Sequence, residues 1–174
     1  VIAHTADLTP ADLRAARALL DAAFDGDFTD EDWEHGLGGM HALVHDDAGL
    51  AAHGAVIMRR VRHRDRWLRV GYVENVGVRP DVRRTGLGSQ VMAALERVVD
   101  GAYDFGALSA SDEGARLYEA RGWQVWGGRI CALGPAGVVH LPEEEGSTYV
   151  RPALTAPLDP AHELLFDWRD GDVL

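Results

Sequence analysis

The stretch Tyr72-Val73-Glu74-Asn75-Val76-Gly77-Val78-Arg79-Pro80-Asp81-Val82-Arg83-Arg84-Thr85-Gly86-Leu87-Gly88 gathers residues whose types and spacing could do chemistry. An apolar strand pattern runs to a proline, an arginine pair and two glycines follow, and a helical pattern opens directly after them. Strand, turn and helix in that order leave backbone N–H groups unpaired at the positive end of a helix, and glycine lets an anion approach them closely. The chemistry suggested is a cradle for a pyrophosphate. Taken alone, the string Arg-x-x-Gly-x-Gly is equally compatible with an ordinary turn. Neither Gly-x-Gly-x-x-Gly nor Gly-Lys-Ser/Thr occurs, so the two commonest rival anion sites fail.

All 17 basic residues are arginines. The absence of lysine removes a Schiff-base lysine, a phosphate-loop lysine and a lysine general base. A net charge of -11 opposes binding to nucleic acid or to an anionic membrane and favours a cationic partner, although an acidic surface can also serve solubility alone. Cys131 is the single cysteine, which excludes an intramolecular disulfide and a cysteine-rich metal site, and its apolar strand setting suits a buried small side chain. Among His41, His45, His53 and His63 no His-x-x-x-His lies on a predicted helix, so no metal is expected. No run reaches the ~20 apolar residues of a membrane span, and Val-Ile-Ala-His-Thr at the start lacks a basic region before an apolar run. A cytoplasmic protein is expected.

The elements that must position these residues follow from periodicity. A length of 174 residues suits one domain, residues 1–174. Thr9-Pro10-Ala11-Asp12 opens an amphipathic helix carrying Leu13, Ala16, Leu20, Ala23 and Phe24, and Thr29 opens a shorter one that stops at Gly38-Gly39. Strands are predicted over Ala42–Val44, Leu50–Met58 and Trp67–Val78, with turns at Asp46–Gly49 and His63–Arg66, making three antiparallel strands in order. A helix is predicted from Thr85 to Tyr103, a strand over Phe105–Leu108, and a helix capped by Ser111 that ends at Arg121 before Gly122. Further strands are predicted over Trp123–Trp126, Ile130–Leu133 and Thr148–Leu154, with Pro142–Gly146 an acidic, loop-like insertion.

Val76-Gly77-Val78-Arg79-Pro80 through Gly88 resembles the acetyl-CoA motif of the GNAT superfamily, Gln/Arg-x-x-Gly-x-Gly/Ala after a strand ending in Val-x-Pro. Leu117-Tyr118-Glu119-Ala120-Arg121-Gly122-Trp123 is similar to that family's second element. A closer resemblance is to the aminoglycoside 2'-N-acetyltransferases. Its segments are Gly26–Thr29, Asp32–His35, Gly38–Leu43, Gly71–Glu74, Gly101–Tyr103, Gly106–Ser109 and Asp167–Val173, which together span nearly the whole chain. The resemblance implies an α/β (α+β) GNAT fold, in which a central mixed, mostly antiparallel twisted sheet is flanked by helices.

The same resemblance implies that Val76, Gly77 and Val78 bind the pantetheine arm of acetyl-CoA. It places Arg83, Arg84, Thr85, Gly86, Leu87 and Gly88 around the pyrophosphate, with Gly114 and Tyr118 also on the cofactor side. Asp27, Asp32, Glu74, Asn75, Ser109, Glu143, Glu144, Asp172 and Leu174 fall on acceptor positions, with Glu145 in the same acidic run. An aromatic residue is expected where Leu174 stands. Several carboxylates would meet the ammonium groups of an aminoglycoside through charge-assisted hydrogen bonds. Amide formation from a thioester needs a neutral amine and a protonated leaving thiolate. Glu74 is the candidate base, acting through water, and otherwise an acceptor anchor; Tyr118 is the candidate acid, and otherwise a core aromatic. Trp33 or Trp168 could line the acceptor cleft. The implied function is transfer of acetyl to a 2'-amino group, conferring antibiotic resistance, by a homodimer. The alternatives are an acetyltransferase for a polyamine or a protein amine, and a noncatalytic acyl-CoA-binding sensor.

Overall fold

The computed structural model describes residues 1–151 and 157–174. Thr9 and Thr29 open the first two helices, α1 (Pro10–Ala23) and α2 (Asp30–Gly36), each by a capping box in which the threonine hydroxyl accepts from the backbone N–H of Asp12 or Asp32 and that aspartate accepts in return. Such reciprocal bonds satisfy two N–H groups that the helix itself cannot. The remaining helices are α3 (Leu87–Ala102) and α4 (Asp112–Ala120), the latter capped by Ser111 and ending at Arg121, with Gly122 at φ 83° in the left-handed region.

The strands are β1 (Ile2–His4), β2 (Met40–Asp46), β3 (Gly49–His63), β4 (Arg66–Val78), β5 (Phe105–Ser109), β6 (Gln124–Val125), β7 (Ile130–Gly134), β8 (Gly137–His140), β9 (Thr148–Arg151) and β10 (Leu164–Asp167). Pairing is antiparallel for β1–β2, β2–β3, β3–β10, β5–β9, β6–β9 and β7–β8, and parallel for β4–β5 and β7–β10. The expected mixed, mostly antiparallel sheet with helices is the fold found.

The contacts divide the chain into two units, between which β3 and β4 are shared along their length. Unit 1 comprises residues 1–57 and 73–98. There β1 pairs with β2 and β2 with the first half of β3, while α1 and α3 cover the sheet. An added Cβ on Gly77 would lie 2.9 Å from Leu20, and one on Gly54 would lie 2.6 Å from Val91, so both glycines mark where a helix sits directly on a strand. Unit 2 comprises residues 58–72 and 99–174. The second half of β3 pairs with β10 through Leu164↔His63, and the first half of β4 pairs with β5 through Val70↔Phe105. Its core holds Leu68, Val70, Tyr72, Phe105, Leu108, Trp123, Ile130, Leu164 and Phe166, all buried.

Several boundaries differ from the sequence-based expectation. Helix α3 begins at Leu87 rather than Thr85, because Arg84 (φ 61°) and Gly86 (φ 90°) lie outside helical backbone. Strand β3 runs on past Met58 to His63, where pairing with β10 sustains it. Strands β1, β8 and β10 were not expected; β1 is three residues long and takes its stability from β2. The strand expected over Thr148–Leu154 is found as far as Arg151, and the rest of that span lies outside the described residues.

Candidate active site

In unit 1 the candidate anion cradle is built by β4, a 3-10 turn at Pro80–Val82 and the start of α3. Arg79 pins its entrance. Its guanidinium donates to Asp46 at 2.6 Å and to Asp81 at 2.6 Å, and its N–H donates to the Ala51 carbonyl at 2.9 Å. The paired carboxylates raise its pKa, and Arg79 lowers theirs, so its charge is already neutralised within the fold. Arg83 donates to the carbonyl of Ala23 at 2.7 Å, closing the C-terminal end of α1, and the Thr85 hydroxyl donates to the Val82 carbonyl at 2.7 Å. Arg83, Arg84 and Gly86 are exposed.

The first i→i−4 bond of α3 runs from the Gln90 N–H to the Gly86 carbonyl at 3.1 Å, so the N–H groups of Leu87, Gly88 and Ser89 precede the helical ladder. No carboxylate occupies this first turn, whereas α1, α2 and α4 all carry one or more there. An anion near Gly86 would meet a positive helix end and the exposed guanidinium of Arg84. A Cβ on Gly86 would touch nothing within 4 Å, so the requirement for glycine is its positive φ rather than lack of space.

Along β4 the buried residues are Leu68, Val70 and Tyr72, then Val73, Asn75 and Gly77, so the buried face changes parity. The change accompanies Asn75, whose φ of 55° is left-handed inside a strand, a bulge-like distortion that turns following side chains to the other face. Glu74, Val76 and Val78 thereby share the half-exposed face. Asn75 itself points inward: it is buried, and its amide donates to the Asp32 carbonyl at 3.1 Å. Asn75 was expected among acceptor contacts; its side chain instead ties β4 to α2. One carboxylate oxygen of Asp32 accepts from the Thr29 N–H at 2.9 Å in the helix cap, while Asp27 is exposed in the turn after α1. Trp33 packs on Leu19, Leu20 and Phe28, as part of a core rather than a cleft.

In unit 2 the Ser109 hydroxyl at the end of β5 donates to Glu144 at 2.8 Å, and Ser147 donates to the same carboxylate oxygen at 3.2 Å. Burial pushes the pKa of Glu144 up; the two serine bonds lower it, while nearby Asp172 and Glu143 raise it further. Ser109, Glu143, Glu144 and Asp172 thus form one electrostatic group. Glu145 turns away, its carboxylate 2.7 Å from His140. The C-terminal segment is held by Arg59, which is 3% exposed, donates to Asp167 at 2.9 Å and to the Val173 carbonyl at 2.6 Å, and lies over the Tyr72 and Phe166 rings at 5.1 Å and 5.3 Å. Leu174 is buried, and Trp168 is 39% exposed.

Tyr118 is buried in α4 with its ring centroid 6.3 Å from Trp123 and 6.2 Å from Tyr149. A Cβ on Gly114, one turn earlier, would lie 3.1 Å from the Tyr118 ring, and the Gly114 N–H donates to the Ser111 carbonyl at 3.0 Å. Gly114 therefore makes room for the tyrosine and belongs to the helix cap.

Residues 4–126 match the model of the family described as Acetyltransferase (GNAT) domain. The chain belongs to the GNAT acetyltransferase family. It is 49% identical over 175 residues, 99% of this chain and 90% of the other, to a protein of Mycolicibacterium fortuitum named Aminoglycoside 2'-N-acetyltransferase. Among solved structures it is similar to a GNAT family N-acetyltransferase of Escherichia coli in complex with CoA, at TM-score 0.65 and 18% identity, covering 98% of this chain and 89% of that one. A GNAT family acetyltransferase of Brucella melitensis in complex with acetyl-CoA gives TM-score 0.61 at 13% identity, covering 94% and 93%. Some solved relatives are longer chains, of which this one spans 32% or 43%. The GNAT match takes in the cradle, Glu74 and Tyr118, and stops before Glu144 and Asp172, which only the full-length relative covers.

Sequence reasoning missed Arg59, Arg79 and His53. Arg79 sits beside Pro80 inside the motif and was open to detection as the residue that terminates the strand. Arg59 is one of six arginines between positions 59 and 69, with no local signal to separate it from the rest.

Proposed function

We propose that this protein, as a single domain over residues 1–174, transfers an acetyl group from acetyl-CoA to the 2'-amino group of aminoglycosides. The observation that carries this is 49% identity across 99% of the chain to the mycobacterial protein of that name. The unoccupied positive turn at α3 supports the donor side, and the Ser109–Glu144–Asp172 group supports a cationic acceptor.

Acetyl-CoA supplies an acyl thioester, an electrophile whose leaving group is a thiolate. In the cradle, Leu87, Gly88 and Ser89 N–H groups with Arg83, Arg84, Thr85 and Gly86 bind the pyrophosphate, and Val76, Gly77 and Val78 hold the pantetheine arm by backbone bonds. Asp27, Asp32, Ser109, Glu143, Glu144, Asp172 and Leu174 bound the acceptor. Carboxylates around an ammonium ion favour its charged, non-nucleophilic form, so a base is required. Glu74 takes that proton through water, and Tyr118 returns one to the thiolate. We further propose a cytoplasmic homodimer that confers antibiotic resistance, with no nucleic-acid or membrane partner, as the charge of -11 favours.

The test is incubation with acetyl-CoA and a panel of aminoglycosides, polyamines and peptides, followed by NMR of the product. Acetyl on the 2'-nitrogen is expected, with little turnover of an aminoglycoside bearing a 2'-hydroxyl. Acetylation of another amine would refute the acceptor assignment.

A further inference from the structure

A line of hydrogen bonds runs through the interior of unit 1. The Thr5 hydroxyl lies 2.7 Å from His41 Nε2, His41 Nδ1 lies 2.9 Å from His53 Nε2, and His53 Nδ1 lies 3.0 Å from the carbonyl oxygen of Asn75. Both rings are buried, at 1% and 0% exposure. The direction of every bond follows from its last member. A carbonyl oxygen only accepts, so His53 Nδ1 carries a proton; in the neutral ring Nε2 is then an acceptor, His41 Nδ1 must donate to it, and His41 Nε2 receives the Thr5 hydroxyl. The Thr5 oxygen in turn accepts from the Gly38 N–H at 2.9 Å, which orients it. Burial holds both imidazoles down at about 4, so both are neutral near pH 7, as this order requires.

Such a line could carry protons or hold a shape. It cannot carry them to the catalytic strand, because it ends on a carbonyl that has no proton to pass on. What it does hold is Asn75. The carbonyl is fixed by His53 and the side-chain amide by the Asp32 carbonyl, and Gly36 is the wedge that lets α2 approach, since a Cβ there would lie 2.5 Å from Asn75 Nδ2. A left-handed φ for a non-glycine residue inside a strand costs about 1–3 kcal/mol and persists only when its surroundings over-determine it. Here they do so on both the backbone and the side chain. Glu74 is the preceding residue. Leu68, Val70 and Tyr72 mark the even positions of β4 as the buried ones, so without a change of parity position 74 would continue that buried series.

We propose that the line Thr5–His41–His53 is a positioning device for the base: it keeps Asn75 in its left-handed conformation, which keeps Glu74 on the accessible face of β4. The role given to Glu74 rests on the acetyl-transfer reading above. His53 is a positioning residue, acting through Asn75.

The test uses the full chain and two substitutions at one site. His53→Leu removes the donor with little change of volume, whereas His53→Asn keeps an amide N–H close to the place of Nδ1. Rates are measured by thiol release with acetyl-CoA and whichever amine the parent turns over fastest. A wrong acceptor assignment then appears in the parent's preference, and a wrong positioning assignment only in the variants. We expect kcat to fall at least tenfold in His53→Leu with the amine KM within about twofold, and His53→Asn to recover to within about threefold of the parent. NMR supplies readouts independent of turnover. The imidazole carbons and nitrogens of the parent should report Nδ1–H tautomers at both His41 and His53, and the Asn75 Cα shift should leave its left-handed value in His53→Leu alone. Should that variant not fold, Thr5→Val leaves both rings in place; it should give mixed tautomers at His41 and a kcat about threefold lower. An Nε2–H tautomer at His53, parental kcat in His53→Leu, or an Asn variant as slow as the Leu variant at equal melting temperature would each overturn the proposal, as would an unmixed tautomer with parental kcat in Thr5→Val.

Discussion

Replacement of Arg59 by methionine should destabilise the protein and loosen acceptor binding together. The guanidinium is 3% exposed, and its loss would strip donors from the carbonyls of Asp167 and Val173 and from the Asp167 carboxylate. Each buried carbonyl left without a donor costs about 1–3 kcal/mol. The Asp167 side chain is 41% exposed and regains water, so its bond counts for about 0–1 kcal/mol. Removing a buried cation returns part of this, because burial lowers the Arg59 pKa more than Asp167 restores it, and methionine keeps apolar contact with Tyr72 and Phe166. The balance is about 3 kcal/mol, or a fall in Tm of about 6–12 °C for a chain of this size. Since Val173 joins Asp172 to Leu174, the acceptor KM should rise several-fold, while acetyl-CoA affinity by titration calorimetry stays at the parental value. A Tm within about 2 °C of the parent, or an unchanged acceptor KM, would show that Arg59 does not clamp this segment.

Gly86→Val should weaken acetyl-CoA binding through backbone strain, because its φ of 90° excludes a branched residue; calorimetry at parental affinity would remove the loop from the cradle. Glu74→Gln should lower turnover about a hundredfold and flatten the pH–rate profile, and Tyr118→Phe should spare donor binding while slowing single-turnover transfer. If Tyr118→Phe matches the parent, the tyrosine only packs against Trp123 and Tyr149. Glu144→Gln should weaken the acceptor yet leave Tm equal or higher above pH 5: a pKa raised by burial penalises the folded state when the carboxylate is charged, and the penalty vanishes below the ordinary value of 4.5. The buried histidines act in the opposite sense. Their folded pKa values, about 4 against 6.5, mean that the unfolded chain takes up protons first, so stability should drop as pH falls from 6.5 towards 4, and His53→Asn should drop less in pH-dependent melts.

What the sequence determined by itself was local. Thr9, Thr29, Ser111 and Gly122 announced helix ends, because a cap is formed by residues within four positions of each other. The cradle was legible for the same reason: strand end, arginine pair, glycines and helix start are contiguous in the chain. The GNAT resemblance was legible from two short motifs that the family match then covered. The parallel pairing of β10 with β7 was not, since it joins residues 34 positions apart with no turn between them to read. Asn75 looked like a polar residue on an open strand face, and only the carbonyl of Asp32 and the ring of His53, supplied by α2 and β3, made it a buried anchor. In Glu143-Glu144-Glu145 the sequence offers three equivalent carboxylates. The tertiary structure separates them, because a side chain's charge state and direction depend on partners the fold brings near: Ser109, 35 residues away, takes Glu144 inward, and His140 on β8 draws Glu145 outward.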